Sequence, residues 1–260
     1  MSSITKRSPK WYGWLPDLPD QRDFLYSAVA PVRLVLPQKV NLRGKCSPIE
    51  NQGNLGSCTA NALVGALEFL EKKHGVRFVD LSRLFVYYNE RAIEGTVNQD
   101  NGAYIRDGVK SLAKFGVCPE QEWPYHISDF AKKPGTQCYQ DAKKHRVTSY
   151  HRIVTVDQMR SCLADGFPFV FGFTVYSAFE SQAVARSGVV NMPGPNERVL
   201  GGHAVVGIGY DDTDKRFLVR NSWGTDWGQD GYFTMPYDYL DPKSDLADDF
   251  WTIRTAVSDN

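Results

Sequence analysis

Asn51-Gln52-Gly53-Asn54-Leu55-Gly56-Ser57-Cys58-Thr59-Ala60-Asn61 is a tight polar loop that runs straight into an apolar, helix-patterned stretch. Leu63, Ala66, Leu67 and Leu70 recur at intervals of three and four residues, and Gly75 offers a stop. This spacing predicts a helix that begins at or near Cys58. A thiol in that place faces unsatisfied backbone N–H groups and the positive end of the helix dipole. Both favour the thiolate, the form that acts as a nucleophile. Gln52 lies six residues upstream on the same loop. Its side-chain amide is placed to donate to an oxyanion beside the Cys58 N–H. A lone cysteine is more often a small buried hydrophobe, so the pattern asks for a base elsewhere in the chain.

His203 is the best candidate. It stands in Leu200-Gly201-Gly202-His203-Ala204-Val205-Val206-Gly207-Ile208-Gly209-Tyr210, where glycines leave room around the ring and an apolar run predicts a buried strand. His74, His145 and His151 sit among charged residues, and His126 follows Trp123-Pro124-Tyr125 in a predicted loop. An imidazole base needs an orienter. Asn221 opens Asn221-Ser222-Trp223-Gly224-Thr225-Asp226-Trp227-Gly228 directly after a second predicted strand, 216–221. Asp211 to Lys215 make a natural hairpin loop between the two strands, so the Asn221 amide is brought to the ring. Trp223 is placed to shield that hydrogen bond from water.

Further out, the pattern divides. Helices are expected at 82–94, with Ser82 as cap and Gly95 beyond the end, at 104–115 before Gly116, and at 156–165 between Thr155 and Gly166. Strands are expected at 146–154, 167–175, 204–210, 216–221 and 231–235. A helical half followed by an antiparallel half predicts an α+β fold of two lobes with the site in the cleft between them. The 260 residues carry 30 basic and 30 acidic side chains, so nothing points to nucleic acid as a partner. No run of 18 apolar residues predicts a membrane span, and the polar Met1–Lys10 stretch lacks the apolar run of a secretory signal. The compartment stays open. Five cysteines, 46, 58, 118, 138 and 162, show no C-x-x-C spacing and no clustering with histidine, so neither a metal site nor a cofactor is expected.

Residues 1–35 differ from the rest. Trp11-Tyr12-Gly13-Trp14 is followed by Leu15-Pro16-Asp17-Leu18-Pro19-Asp20. The prolines favour extended or turn backbone, and the aromatics need a surface to lie on. An arm packed on the main body is expected.

Three motifs stand in one order: Gln52-Gly53-x-x-Gly56-Ser57-Cys58, Gly202-His203-Ala204-Val205, and Asn221-Ser222-Trp223-Gly224-x-x-Trp227-Gly228-x-x-Gly231-Tyr232. In this the chain resembles the papain family of cysteine peptidases, over about residues 36–257. His203 lies 145 residues beyond Cys58 and Asn221 lies 163 beyond it, against about 130–150 in papain and the cathepsins. The resemblance implies a helical left lobe and an antiparallel β right lobe, in a peptidase domain over 36–260. It implies cysteine endopeptidase activity on polypeptides, by a monomer. By the same resemblance Cys58 is the nucleophile, His203 the acid and base, Asn221 its orienter, and Gln52 part of the oxyanion hole. Gly56, Gly102 and Gly172 would line the bound substrate, and Trp227 the leaving-group side.

The chain also departs from the pattern. The cysteine usual three residues before the nucleophile is Leu55, and the usual aromatic after it is Thr59. Cys118 and Cys138 are expected to pair if the compartment is oxidising, leaving Cys46 and Cys162 free. No long helical propeptide of the family is expected, and the 1–35 arm looks like that of bacterial papain-like enzymes. An arm lying along the cleft and limiting access is the expectation. Two alternatives remain at this point: an inactive homologue serving as a binding module, and an acyl transferase or amidase with the same nucleophile. The latter usually has Asp where this chain has Asn221.

Overall fold

A computed structural model describes residues 12–30 and 35–258; Trp11, one of the arm aromatics, lies outside them. The elements in chain order are β1 (Trp14–Leu15), β2 (Lys39–Asn41), α1 (Cys58–Lys73), α2 (Arg83–Glu94), β3 (Ala103–Tyr104), α3 (Ile105–Lys114), α4 (Thr136–Asp141), β4 (His145–Arg152), α5 (Val156–Ala164), β5 (Phe169–Tyr176), α6 (Gln182–Ser187), β6 (Val199–Asp211), β7 (Arg216–Arg220), β8 (Tyr232–Pro236), α7 (Tyr237–Leu240) and β9 (Ala247–Ser258). The expected caps operate. Ser82 accepts from the Phe85 N–H at 3.1 Å, and Gly95 closes α2 at φ 74. Thr155 accepts from the Gln158 N–H at 3.2 Å.

The larger sheet runs β4-β9-β5-β6-β7-β8, with β2 on β6, and every pair in it is antiparallel. Strand periodicity divides the interior into two cores. On β5, Val170 faces the core built on α1, α2 and α3, while Phe169, Phe171, Phe173 and Val175 face the other. On β6, Ala204, Val206 and Ile208 face the helices and Val205 faces the second core. A register shift between Gly207 and Gly209 then turns Tyr210 to that second core as well. The α+β architecture is as expected. β9 is not: its Trp251 and Ile253 face the helical core, its Phe250 the other, and Thr252 is buried too. A strand covered on both faces leaves no polar alternation to read.

Helix α1 runs between the helices and the sheet and is buried nearly all round, from Cys58 to Glu71. Its two carboxylates are therefore paired. Glu68 meets Arg83 at 2.7 Å and accepts from the Leu81 N–H at 3.0 Å. Glu71 meets the His145 Nδ1 at 2.8 Å. His145 and His151, which the sequence sets among charged residues, are both buried. Arg83→Leu strands Glu68 without its cation. We expect it to cost about 3–5 kcal/mol, read as a lowered urea midpoint; an unchanged midpoint would make the pair dispensable.

The expected Cys118–Cys138 disulfide is not formed, and all five cysteines are free thiols. Cys138 Sγ is turned to the Glu122 carbonyl at 3.7 Å instead. The two sulfurs and the Glu122 carboxylate lie within 4.8 Å of one another, a grouping that spacing along the chain did not reveal. It is one donor short of a closed tetrahedral set.

Candidate active site

Cys58 is the first residue of α1, as the sequence predicts. Its Sγ accepts from the Ala204 N–H at 3.4 Å, so β6 meets the helix start at the residue after His203. The β6–β7 ladder pairs Val206 with Arg220, and Asn221 follows at once. That register carries the Asn221 Oδ1 to His203 Nε2, 2.8 Å away. The Ser222 N–H also donates to this oxygen at 2.9 Å, which fixes the amide. Trp223 lies against the ring at 4.9 Å between centroids, with Phe173 at 5.8 Å and Phe179 at 6.3 Å. The expected aromatic shield is in place, and His203 is fully buried.

Gln52 joins them from the loop before α1. Its Oε1 accepts from the Ser222 hydroxyl at 2.6 Å, its Nε2 donates to the Leu55 carbonyl at 2.9 Å, and its backbone N–H donates to the Ser222 carbonyl at 2.9 Å. The four predicted catalytic residues thus come together from a loop, a helix start, a strand and a strand end. Several supports were given no role by the sequence. Ser222, inside the Asn221-Ser222-Trp223-Gly224 motif, is one. Tyr125 donates to the Gln52 carbonyl at 3.1 Å and pairs with the Ser57 hydroxyl. Asp100 accepts from the Gly56 N–H at 2.9 Å and from Tyr87 at 2.5 Å. Each comes from a segment remote in sequence, which spacing cannot register.

One expectation is reversed. The helix terminus was to favour the thiolate, yet burial pushes the Cys58 thiol up to about 12. Hydrogen bonds from the Ala204, Gly13 and Thr59 backbone N–H groups pull the other way without overcoming it. The arm contributes to this cover, since its Gly13 N–H is one of the three donors. β1 pairs in parallel with β3, and the Ala103 N–H donates to the Gly13 carbonyl at 2.7 Å. A Cβ on Gly13 would stand 1.7 Å from the Gly56 carbonyl oxygen; one on Gly102 would stand 2.1 Å from the Gly13 oxygen. A Cβ on Gly172 would stand 1.9 Å from Trp14 Cε2. Gly56, Gly102 and Gly172, predicted to line a bound substrate, therefore all touch the arm. Tyr12 approaches His203 edge-on at 6.0 Å. Trp227 is brought to the same end through Trp223, at 5.2 Å.

Comparisons with known proteins agree with this geometry. A family model for papain family cysteine proteases matches residues 36–244. An uncharacterized peptidase C1-like protein of Acanthamoeba polyphaga mimivirus is 41% identical over 94% of this chain and 86% of its own. Procathepsin L of Rattus norvegicus is 28% identical over 80% of this chain and 63% of its own. Among solved structures, xylellain, a cysteine protease from Xylella fastidiosa, superposes with a TM-score of 0.89 at 44% identity. That match covers 98% of this chain and 99% of the other.

Proposed function

Since the chain belongs to the papain family of cysteine proteases and is a cysteine-type peptidase, we propose that Cys58 is its nucleophile, His203 its acid and base, and Asn221 and Gln52 their partners. The observation that carries this is the His203–Asn221 contact of 2.8 Å at the start of the helix that bears Cys58. Its Nε2 is engaged by Asn221, so the proton moves through Nδ1. His203 takes the thiol proton and, as imidazolium, stabilises the thiolate. Cys58 Sγ attacks the substrate carbonyl carbon. The oxyanion that forms accepts from the Gln52 amide and the Cys58 N–H. The C–N bond then breaks, and His203 returns the proton to the leaving amine. Water, deprotonated by the same ring, cleaves the thioester and frees the second product.

Gly56, Gly102, Gly172 and Trp227 are the substrate-lining positions of this proposal. The arm supports that assignment, because it lies as an extended peptide against the three glycines. We take residues 1–35 to be a regulatory arm and 36–260 the peptidase domain. The monomeric state, and action without nucleic-acid or membrane partners, belong to the same proposal; the balanced charge supports the absence of a nucleic-acid partner. A bacterial source is supported by the Xylella enzyme alone, and the mimivirus relative is nearly as similar.

Gln52→Ala should lower kcat about 100- to 1,000-fold, as loss of one oxyanion donor does elsewhere, with KM little changed. Steady-state hydrolysis of a fluorogenic peptide checks it. An unchanged kcat would remove Gln52 from the oxyanion hole.

A further inference from the structure

The arm is fastened at one place by charged groups rather than apolar contact. Trp14 Nε1 donates to Asp249 Oδ2 at 3.0 Å, and the Asp17 N–H donates to the same oxygen at 2.8 Å. Asp17 in turn accepts from Trp251 Nε1 at 3.2 Å and from the Arg106 N–H at 3.3 Å. Both carboxylates are buried. From the surrounding elements, α3 brings Arg106, which holds Asp23 of the arm at 2.9 and 2.7 Å. β4 brings Arg152, which reaches Asp249 and Asp248 at 3.0 Å and Asp23 at 3.2 Å. Helix α2 ends in Glu94, which accepts from the Tyr104 N–H at 2.9 Å, and Asp107 of α3 lies near it. Two arginines thus face four aspartates in the fastening itself. Under the far end of the arm lie Cys58 and His203, and Glu180 accepts from the Tyr12 hydroxyl at 2.5 Å.

We propose that Asp17 and Asp249 are an acid-closed latch: the arm stays docked while this buried pair carries a proton and is released as the proton leaves. This rests on the reading of residues 1–35 as a cover over the cleft. Burial first, and then the neighbouring Asp17 and Asp248 charges, push Asp249 up to about 7. Burial also raises Asp17, against the pull of Arg106. Glu94 is pushed the same way by burial, up to about 7. Release takes Asp17 away and re-solvates Asp249, returning both toward the ordinary carboxylate range. The docked state therefore binds more protons than the released one. The sign follows: docking is strongest below the ordinary carboxylate range, weakens as pH rises toward about 7, and levels off above it.

Amide exchange in the full-length Cys58→Ala chain, which cannot cut itself, tests this directly. The Asp17 N–H and the Ala103 N–H donate only while the arm is docked, to Asp249 and Gly13. Their protection factors, corrected for intrinsic exchange, should fall by up to roughly tenfold per pH unit between pH 5 and 7 for one linked proton. Asp249→Asn should flatten that dependence; asparagine tolerates the left-handed backbone at this position, φ 58. Asp17→Asn serves as the second variant, because it removes one of the charges that raises Asp249. Protection that is high but independent of pH would overturn the latch and leave the cover intact. A dependence that survives both substitutions would assign the titration to another group and also overturn it. No protection at either amide, at any pH, would overturn the cover itself.

Discussion

Gly13→Ala, in the otherwise intact chain, should switch the peptidase on. The added methyl would stand 1.7 Å from the Gly56 carbonyl oxygen and 2.4 Å from its carbon, both backbone atoms that have no rotamer to escape into. Forcing extra carbon into a packed contact costs about 1–3 kcal/mol, and all of it falls on the docked state, since a free arm accepts alanine as readily as glycine. The released fraction, and with it peptide turnover, should rise about 5- to 150-fold at a given pH. A second readout separates this from a general disturbance. Burial holds the Cys58 thiol up at about 12. Release re-solvates it at a helix N-terminus and lowers it, so alkylation of Cys58 by iodoacetamide at neutral pH should accelerate alongside turnover. A chain lacking residues 1–35 should match the substituted one. If turnover and alkylation stay at the parent's rates in both, the arm does not limit access to the cleft.

Cys58→Ala should abolish that activity, with turnover down on the order of 10,000-fold or more. Loss of the nucleophile removes the acyl-thioester route, and what remains draws only on binding and the oxyanion donors. The fold should persist: Cys58 is fully buried and its Sγ accepts only from backbone N–H groups, Ala204 among them at 3.4 Å, so the change removes a single sulfur from the start of a helix otherwise packed along its length. An unchanged thermal transition with activity lost is the expected pair of results. Full turnover in Cys58→Ala would move the chemistry to another group. A collapsed thermal transition would instead make Cys58 a packing residue, and labelling by an epoxysuccinyl reagent, with peptide mapping, would then decide whether its thiol reacts at all.

The site and the fold were legible in the sequence to different depths. Local chemistry was readable where it is written locally. Ser82 and Thr155 announce helix starts because a cap needs only the next three residues. The glycine loop before Cys58 announces the nucleophile's helix. The hairpin across Asp211 to Lys215 foretells that Asn221 will meet the strand of His203, because a short turn brings its two strands side by side. The motif order then supplied the family, and with it the α+β two-lobe arrangement. What spacing could not supply was anything made between distant segments. The strand β9 was missed because burial on both faces erased its alternation. Tyr125, Asp100 and Ser222 were missed because their partners lie far along the chain. The disulfide between Cys118 and Cys138 was expected for an oxidising compartment; the structure turns one thiol to a carbonyl instead. The charge state of Cys58 shows the same limit most plainly. By itself, the sequence determined the place of Cys58 at a helix N-terminus and the polarity that place confers. Only the tertiary structure decided that burial outweighs that polarity, because desolvation depends on what else occupies the surrounding volume and not on which residues are adjacent in the chain.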